Sequence, residues 1–294
     1  MPGDALRGMV DPATTTAADL EAMREAHGLL DPWYVQYASW MRRIFLEGDF
    51  GRSIRHGIPV TSVIADRLVN TMRLSLVTAF FTYLIALPLG LWAAKKKGTL
   101  IDRGIMVYTF VALSMPTIIL SLINVMFFGF MAGWFPVAGS ITLQASAEGG
   151  FAAFASRMHH LILPGITLAL LGTTGIIYFL RSEIIDFENS DFVTTARSKG
   201  VPESKIYTRH ILRNALLPIA GHAGIIVVGI FTGSVFVETI FSFPGMGELF
   251  LTSIVARDFP VANILIMFYS ILGVIAVLVT DIAITIIDPR IHIK

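Results

Sequence analysis

Cysteine is absent from this chain, and charged residues are scarce in it. Without cysteine the protein has no disulfide, no cysteine-ligated metal and no thiol chemistry, although this leaves its compartment open. Charged residues make up 15% of the 294 residues, against about 25% in an average soluble domain. Hydrophobic residues make up 54%, and the mean hydropathy is +0.71. So little charge cannot cover a globular surface of this size, which predicts a chain solvated largely by lipid.

Several signatures of chemistry are also missing. The net charge is +1, so no global field attracts nucleic acid. No lysine follows a glycine, which excludes a G-x-x-x-x-G-K-[ST] phosphate loop, so any ATPase must be a separate subunit. His159-His160 lacks the H-E-x-x-H spacing of a zinc protease, and no G-x-S-x-G nucleophile elbow occurs. An intramembrane enzyme and a channel are therefore only remote alternatives. ATPase activity on mixing with a nucleotide-binding partner would separate a transporter from both.

Five apolar stretches are present, each near or above the roughly 20 residues that cross a membrane. They show no alternation of the barrel-strand type, which predicts helices. Pro88 and Pro116 fall inside spans and should kink them, whereas Pro164 and Pro218 fall near predicted helix starts. We therefore predict an all-α polytopic helical bundle with spans at about 72–94, 105–135, 161–180, 215–241 and 261–287.

Lysine and arginine are concentrated in alternate loops and in the C-terminal tail, while the other two loops carry one arginine each, Arg157 and Arg257. Basic loops face the cytoplasm, so the C-terminus is predicted inside and residues 1–71 outside. The prediction is thus an extracytoplasmic segment, 1–71, followed by a transmembrane domain, 72–294. Because the outer segment is polar and carries no export signal, we expect one more apolar span upstream in the gene. Late insertion of the tail is the alternative.

The loop at 181–214 has a helical pattern. Asn189 or Ser190 can cap a short helix over 191–199. Gly200 stands where a glycine with positive φ ends such a helix. The loop is therefore predicted to hold a separate helix that projects from the membrane.

Two roles suit this short helix. Its apolar residues, with Phe192 and Ala196 foremost, can insert into the groove of a partner protein. Alternatively its basic residues, Arg197 and Lys199, can rest on anionic lipid. The residues alone leave these two roles open.

Four segments together resemble the B-type permease subunits of dipeptide and oligopeptide ABC importers. "DFVTTARSKG" at 191–200, followed by "RNALLP", resembles their cytoplasmic signature loop. Ala196 and Gly200 match the general form of that loop, whereas Thr194 and Thr195 replace its Glu-Ala. The other three segments are "ETIFSFPGMGELFLTSIVARDFPV" from Glu238, "DPRIHIK" at the end and "MPGDAL" at the start. The resemblance covers essentially the whole chain and implies a six-span type I importer permease fold, of which five spans are present.

The resemblance also implies a function and a set of partners. The chain would form half of a translocation path for di- or oligopeptides, and nickel chelates or glutathione are the alternative substrates of the same branch. It would be a transport subunit and not an enzyme, with no cofactor of its own, because ATP and Mg²⁺ would bind two cytoplasmic ATPase subunits. A second, homologous permease subunit, an extracytoplasmic substrate-binding protein and membrane lipid complete the expected partners. The location implied is a bacterial or archaeal cytoplasmic membrane.

Two groups of residues are the candidates for function, and none is predicted to be catalytic or to bind a metal. The predicted contacts to the ATPase subunit, in what we call the coupling loop (181–214), are Asp191, Phe192, Thr195, Ala196, Arg197 and Gly200. The candidates for the substrate path are polar residues of the spans, namely Ser114, Asn124, Thr173, Thr174, His222, Thr232 and Ser234. Glu238, near a span end, is predicted to anchor a helix end or an interface rather than to relay protons. Gly229 and Gly233 are spaced for close helix packing.

Overall fold

The computed structural model describes residues 30–221 and 231–287, together with Glu21 and Gly229. These residues form helices, turns and loops, and no strand is found among them. Short π-helical segments extend three of the helices, at Arg43–Glu47, Val125–Met131 and Ile206–Ile211. The helices are α1 (Trp33–Arg42), α2 (Val60–Lys95), α3 (Leu100–Ser114), α4 (Thr117–Asn124), α5 (Leu143–Glu148), α6 (Gly150–Glu188), α7 (Asp191–Ser198), α8 (Glu203–Lys205), α9 (Leu212–Gly221), α10 (Val235–Ile240), α11 (Met246–Val255) and α12 (Phe259–Ile287).

The predicted spans correspond to three long helices and one bent pair. Helices α2, α6 and α12 are each long and apolar enough to cross a membrane, and they contain the first, third and fifth predicted spans. The second predicted span is α3 followed by α4 and its π-helical extension, bent by 105°. Helices α9 and α10 cover the ends of the fourth, whose centre, 222–228 and residue 230, lies outside the described residues.

Proline explains the bend between α3 and α4. Pro116 has no N–H to donate, and it forces the preceding residue out of the helical region. Met115 is accordingly extended, with φ −87° and ψ 121°, and α4 begins directly after Pro116. The predicted kink is confirmed, and it is sharp enough to turn one apolar stretch into two helices.

The predictions for Pro164 and Pro218 were wrong. Pro164 lies in the interior of α6, which already begins at Gly150, and Pro218 lies within α9, which begins at Leu212. In both cases the helix starts before polar residues, such as Arg157 and Arg213, that interrupt the apolar stretch in the sequence. Residues 151–160 contain helix-favouring alanines and simply continue into the apolar part.

The described residues divide into two compact units. The first comprises the described parts of Met1–Val69 together with Leu249–Ser270. Within it, Asp258 is almost completely buried and accepts a short hydrogen bond from the Ser53 hydroxyl. The backbone N–H groups of Ile54 and Arg55 donate to the same carboxylate at 3.1 and 3.3 Å. This carboxylate ties the loop before α2 to the start of α12.

The second unit comprises the described parts of Asn70–Glu248 and Ile271–Lys294. Its buried side chains form three hydrophobic clusters. One of these clusters brings Ala94 at the end of α2 and Ile184 near the end of α6 together with Val193 of α7 and Ile206 after α8. The coupling loop therefore packs on the ends of the long helices.

Candidate functional site

Helix α7 is bounded by the residues that the sequence pattern indicates. Ser190 is the residue before the helix, with extended φ −79° and ψ 154°, although its hydroxyl donates to the Phe187 carbonyl at 2.6 Å instead of capping α7. Gly200 has φ +73°, which confirms the predicted left-handed end. Its N–H donates to the Arg197 carbonyl, and the Val201 N–H donates to the Ala196 carbonyl. These two bonds form a Schellman motif, which reverses the chain directly after α7.

The two apolar residues predicted to enter a partner's groove are four residues apart on one side of α7, but they differ in exposure. Phe192 is 39% exposed. Ala196 is 8% exposed and packs in the cluster that contains Val193 and Ile211. The prediction that Ala196 inserts into a partner is therefore incompatible with this packing. The sequence pattern identified an apolar face, but that face is covered by the chain's own following helix.

The outward face of α7 is polar except for Phe192. The Thr195 hydroxyl donates to the Asp191 carbonyl at 2.9 Å, so it is satisfied within the helix. Arg197 forms a two-bond ion pair with Glu203, at 2.7 and 3.3 Å. Because the guanidinium donates to it, the pKa of the Glu203 carboxyl is lowered from its ordinary value. On this face, the exposed ring of Phe192 is the apolar group that a partner can contact.

Two polar contacts fix the coupling loop to the long helices. The Lys95 ammonium lies 4.6 Å from the centre of the Tyr207 ring, within the range of a cation–π contact. Burial raises the pKa of the Tyr207 hydroxyl to about 12. Near the end of α6, Arg181 donates to both carboxylate oxygens of Asp102 of α3, at 2.6 and 2.8 Å. These contacts join the segment after α8 to the end of α2, and α6 to α3.

A cleft of 340 Å³ lies between α2 and α6, and we call it the hydroxyl cleft. Helix α2 presents Ser75, Thr78 and Thr82 to it, and the buried Thr78 hydroxyl has no hydrogen-bond partner. Among the residues that the structure describes, no charged residue lines it. Its lining consists of Leu74, Ser75, Thr78, Ala79, Thr82, Tyr83, Leu168, Gly172, Ile176, Gly229, Gly233 and Ser234.

Of the seven predicted path residues, Ser234 lines the hydroxyl cleft and His222 lies outside the described residues. Asn124 is buried and donates to the Thr167 hydroxyl at 2.9 Å, so it joins two helices. Ser114 is exposed and donates to the Phe110 carbonyl. Thr232 is half-buried and does not line the cleft.

Thr173 and Thr174 point away from the hydroxyl cleft. The Thr173 hydroxyl pairs with the Tyr108 hydroxyl at 2.8 Å and joins α6 to α3. Thr174 lies in a second concavity of 560 Å³, the α3–α6 groove. That groove is lined by Met106, Val107, Thr109, Phe110, Leu113, Thr174, Gly175 and Tyr178.

The main residues that sequence reasoning missed lie on α2. Thr71, Ser75, Thr78 and Thr82 recur at i, i+4, i+7 and i+11, which places them on one face of a helix. Such a stripe in an apolar span is a detectable signal for a polar surface. Single polar residues were considered in the other spans, and this repeat in the first was not.

Glu238 is fully buried and caps the start of α11 from another helix. One carboxylate oxygen accepts from the Thr71 hydroxyl at 3.2 Å and the Ser234 N–H at 3.3 Å, and the other accepts from the Glu248 N–H at 2.9 Å. The Thr71 hydroxyl in turn accepts from the Met246 N–H at 2.7 Å. A negative group at a helix N-terminus is favourable. The prediction that Glu238 anchors a helix end is confirmed.

Glycines make room for this buried carboxylate. A Cβ on Gly245 would lie 2.5 Å from the Glu238 carboxylate, and a Cβ on Gly233 would overlap it. Gly233 also has φ +69° and interrupts the helical conformation. A Cβ on Gly233 would also lie 3.1 Å from the Thr71 Cγ2 atom of α2, so Gly233 allows a close approach to another helix as predicted, and it also turns the chain around Glu238.

Long apolar helices that enclose a cleft are typical of a membrane-embedded transport subunit. Comparison with known proteins gives the same class. The model of the binding-protein-dependent transport system inner membrane component matches residues 86–293. The chain belongs to this family. Family members are the permease subunits of ABC importers, which work with ATPase and substrate-binding partners, so the chain is a multi-pass inner-membrane protein and not an enzyme.

Relatives of known name cover nearly the whole chain. The oligopeptide transport system permease protein AppB of Bacillus subtilis is 40% identical over 99% of this chain and 90% of its own length. The dipeptide transport system permease protein DppB of Lactococcus lactis is 32% identical over 95% of this chain and 87% of its own length. Among solved structures, the MetNI methionine ABC transporter in an inward-facing conformation matches 78% of this chain and 97% of its own, with TM-score 0.59 at 15% identity. That likeness concerns the fold.

Proposed function

We propose that this permease subunit moves di- or oligopeptides. The observation that carries this proposal is the 40% identity, over 99% of the chain, to a permease named for oligopeptide transport. The hydroxyl cleft supports it, because hydroxyl groups both donate and accept hydrogen bonds and therefore suit a peptide backbone. The cleft has no charged lining residue, which fits a path that accepts many side chains.

The proposed assembly contains four further subunits. A second, homologous permease completes the path, two ATPase subunits dock in the cytoplasm, and an extracytoplasmic protein delivers the substrate. The coupling loop and the C-terminus face the cytoplasm, and residues 1–71 lie outside. The distribution of basic residues supports this orientation, because positive loops are retained on the cytoplasmic side.

Helix α7 is the proposed contact with an ATPase subunit, and Phe192 is the residue that inserts. Its ring is exposed, and it stands on a helix that Val193 and Ala196 pack against the ends of the long helices. The rim of the contact is formed by Asp191, Thr195 and Arg197, and the turn after α7 is formed by Gly200. Docking energy is typically concentrated in a few buried aromatic anchors.

Reconstitution of the complete transporter in proteoliposomes tests this function. We expect stimulation of ATPase activity and uptake by the substrate-loaded binding protein with short peptides, but not with free amino acids. Phe192→Asp should abolish both stimulated ATPase and uptake, whereas Phe192→Leu, which keeps an apolar side chain, should retain most of both. Equal activity of Phe192→Asp and Phe192→Leu would exclude the docking role. Stimulation by a nickel chelate or glutathione alone would refute the peptide substrate.

A further inference from the structure

The α3–α6 groove has a different chemistry from the hydroxyl cleft, although it also contains threonines. The Thr109 hydroxyl donates to the Met106 carbonyl at 2.8 Å, and the Thr174 hydroxyl donates to the Leu171 carbonyl at 2.9 Å. Both hydroxyls are therefore satisfied within their own helices. The surface that the groove presents to a ligand is therefore mainly apolar. Its volume of 560 Å³ lies within the roughly 300–1,000 Å³ that is typical of ligand sites.

Gly175 gives the groove its depth. A Cβ at this position would meet nothing within 4 Å, so the space above the α6 backbone is open. Phe110 and Tyr178 form exposed walls, with 71% and 66% of their surface accessible. The result is a narrow apolar channel along two helices, unlike the convex apolar surface on the rest of the lipid-exposed bundle.

One end of the groove is positively charged. Arg103 precedes Met106 and Val107 by three and four residues, so it lies on the same face of α3, one turn beyond the lining residues. The neighbouring Asp102 carboxylate does not neutralise it, because Asp102 accepts two hydrogen bonds from Arg181 and one from the Gly98 N–H. Arg103 itself is exposed.

The loop before α3 is also rich in lysine. Lys96 and Lys97 follow α2 in this loop, within a few residues of Arg103 in the chain, whereas Lys95 contacts the Tyr207 ring. A ligand in the groove therefore meets an apolar channel with the exposed Arg103 one turn beyond it. This combination matches an acyl chain attached to an anionic headgroup.

We propose that the α3–α6 groove binds one acyl chain of an anionic phospholipid, whose phosphate lies at Arg103. An apolar helix of a second permease subunit would fill the channel but would bring no anion to Arg103. A lipid meets both requirements. The bound lipid would bridge α3 and α6 beside the Asp102–Arg181 ion pair, which connects the same two helices.

Native mass spectrometry of the purified complete transporter tests this site, with phosphatidylglycerol and phosphatidylcholine of identical acyl chains as probes. The wild type should retain phosphatidylglycerol about fivefold more tightly, which is the factor expected of one basic group at a membrane surface. Arg103→Gln should keep a bound lipid but lose this preference. Gly175→Leu fills the channel and should remove one lipid with either headgroup.

Two matched controls accompany these variants. Gly104→Leu adds the same side chain to an exposed glycine of α3 that does not line the groove, and it should leave the number of bound lipids unchanged. Arg157→Gln removes a positive charge away from the groove and should keep the headgroup preference. Because lipid retention is the readout, the test does not depend on the proposed peptide substrate.

Three results would overturn the proposal. The first is equal retention of both lipids by the wild type. The second is an unchanged headgroup preference in Arg103→Gln, which decides the question even if Gly175→Leu fails to assemble. The third is a Gly175→Leu variant that keeps all its lipids and loses the second permease subunit, because the groove would then be a subunit interface.

Discussion

The coupling loop and the hydroxyl cleft belong to one compact unit but are built in opposite ways. In the loop, side chains such as Val193 and Ile206 are fully buried in one hydrophobic cluster, and Arg197 forms an ion pair with Glu203. In the cleft, small residues and hydroxyls leave space between the helices. A region that transmits movement must be rigid, whereas a region that lets varied substrates pass must avoid specific contacts. The difference therefore follows the proposed division of labour.

The largest expected effect comes from a charge in the interior of the coupling loop. Ala196→Asp would bury a carboxylate among Val193, Ile206 and Ile211, where it has no partner. Such a change costs several kcal/mol, so α7 should detach from its cluster. Protease cleavage within 191–211 and loss of substrate-stimulated ATPase would show it. Thr194→Asp, on the exposed side of α7, is the control and should retain coupling.

A bulky side chain in the hydroxyl cleft should separate transport from coupling. Ala79→Trp would occupy the space between α2 and α6 and lower peptide uptake by about tenfold, which is equivalent to ~1.4 kcal/mol. The basal ATPase activity should be unchanged, because the coupling loop is untouched. Peptide uptake and ATPase activity should be measured on the same proteoliposomes, so that the effect on transport can be compared with the effect on coupling. Ala79→Ser should behave as the wild type, and a parallel loss of both activities would show that the two regions are not separable.

A smaller effect is expected at the turn after α7. Gly200→Val places a β-branched residue at φ +73°, at a local cost of about 1 kcal/mol or more. Coupling efficiency, measured as peptide transported per ATP hydrolysed, should fall. Gly200→Asn is the control, because asparagine tolerates this conformation better. Normal coupling in Gly200→Val would mean that the turn does not fix the position of α7.

The smallest effect is expected at the exposed ion pair of the coupling loop. The pKa of Glu203 is lowered in the folded protein, so the pair contributes stability above the ordinary value of 4.5 and loses it as the pH falls through the lowered pKa. At neutral pH the contribution is present but screened by solvent. Glu203→Gln should therefore leave stimulated ATPase unchanged at pH 7. A strong loss would assign the pair a role in docking.

Helices were predictable from hydropathy, but their limits were not. The apolar cores of α2, α6 and α12 stand out in the sequence because a span needs a long uncharged run. The first turns of α6, from Gly150, are separated from its long apolar run by Ser156, Arg157, His159 and His160, and this is why Pro164 was assigned to the wrong part of the helix. Pro116 was predictable because its effect is local and steric.

The site was predictable where local geometry determines it. Gly200 ends α7 as its type and position indicate. The orientation of Ala196 was not predictable, because it depends on Ile206 and Ile211, which reach α7 only through the fold. The path residues remain predictions, and their orientation was not predictable for a similar reason. A polar residue in a span can face a cleft, as Ser75 does, or a neighbouring helix, as Asn124 does, and composition alone does not distinguish these cases.

The buried Asp258 carboxylate has a consequence for the order in which the protein is made. Its partner Ser53 lies 205 residues earlier in the chain. At about 5–20 residues per second, the ribosome needs roughly 10–40 s to make the intervening residues. During that interval the loop at 51–59 has no carboxylate to bind, and its N–H groups must be satisfied by water. The first unit is thus completed by a segment made 205 residues later, and its maturation must wait for the synthesis of the helices in between.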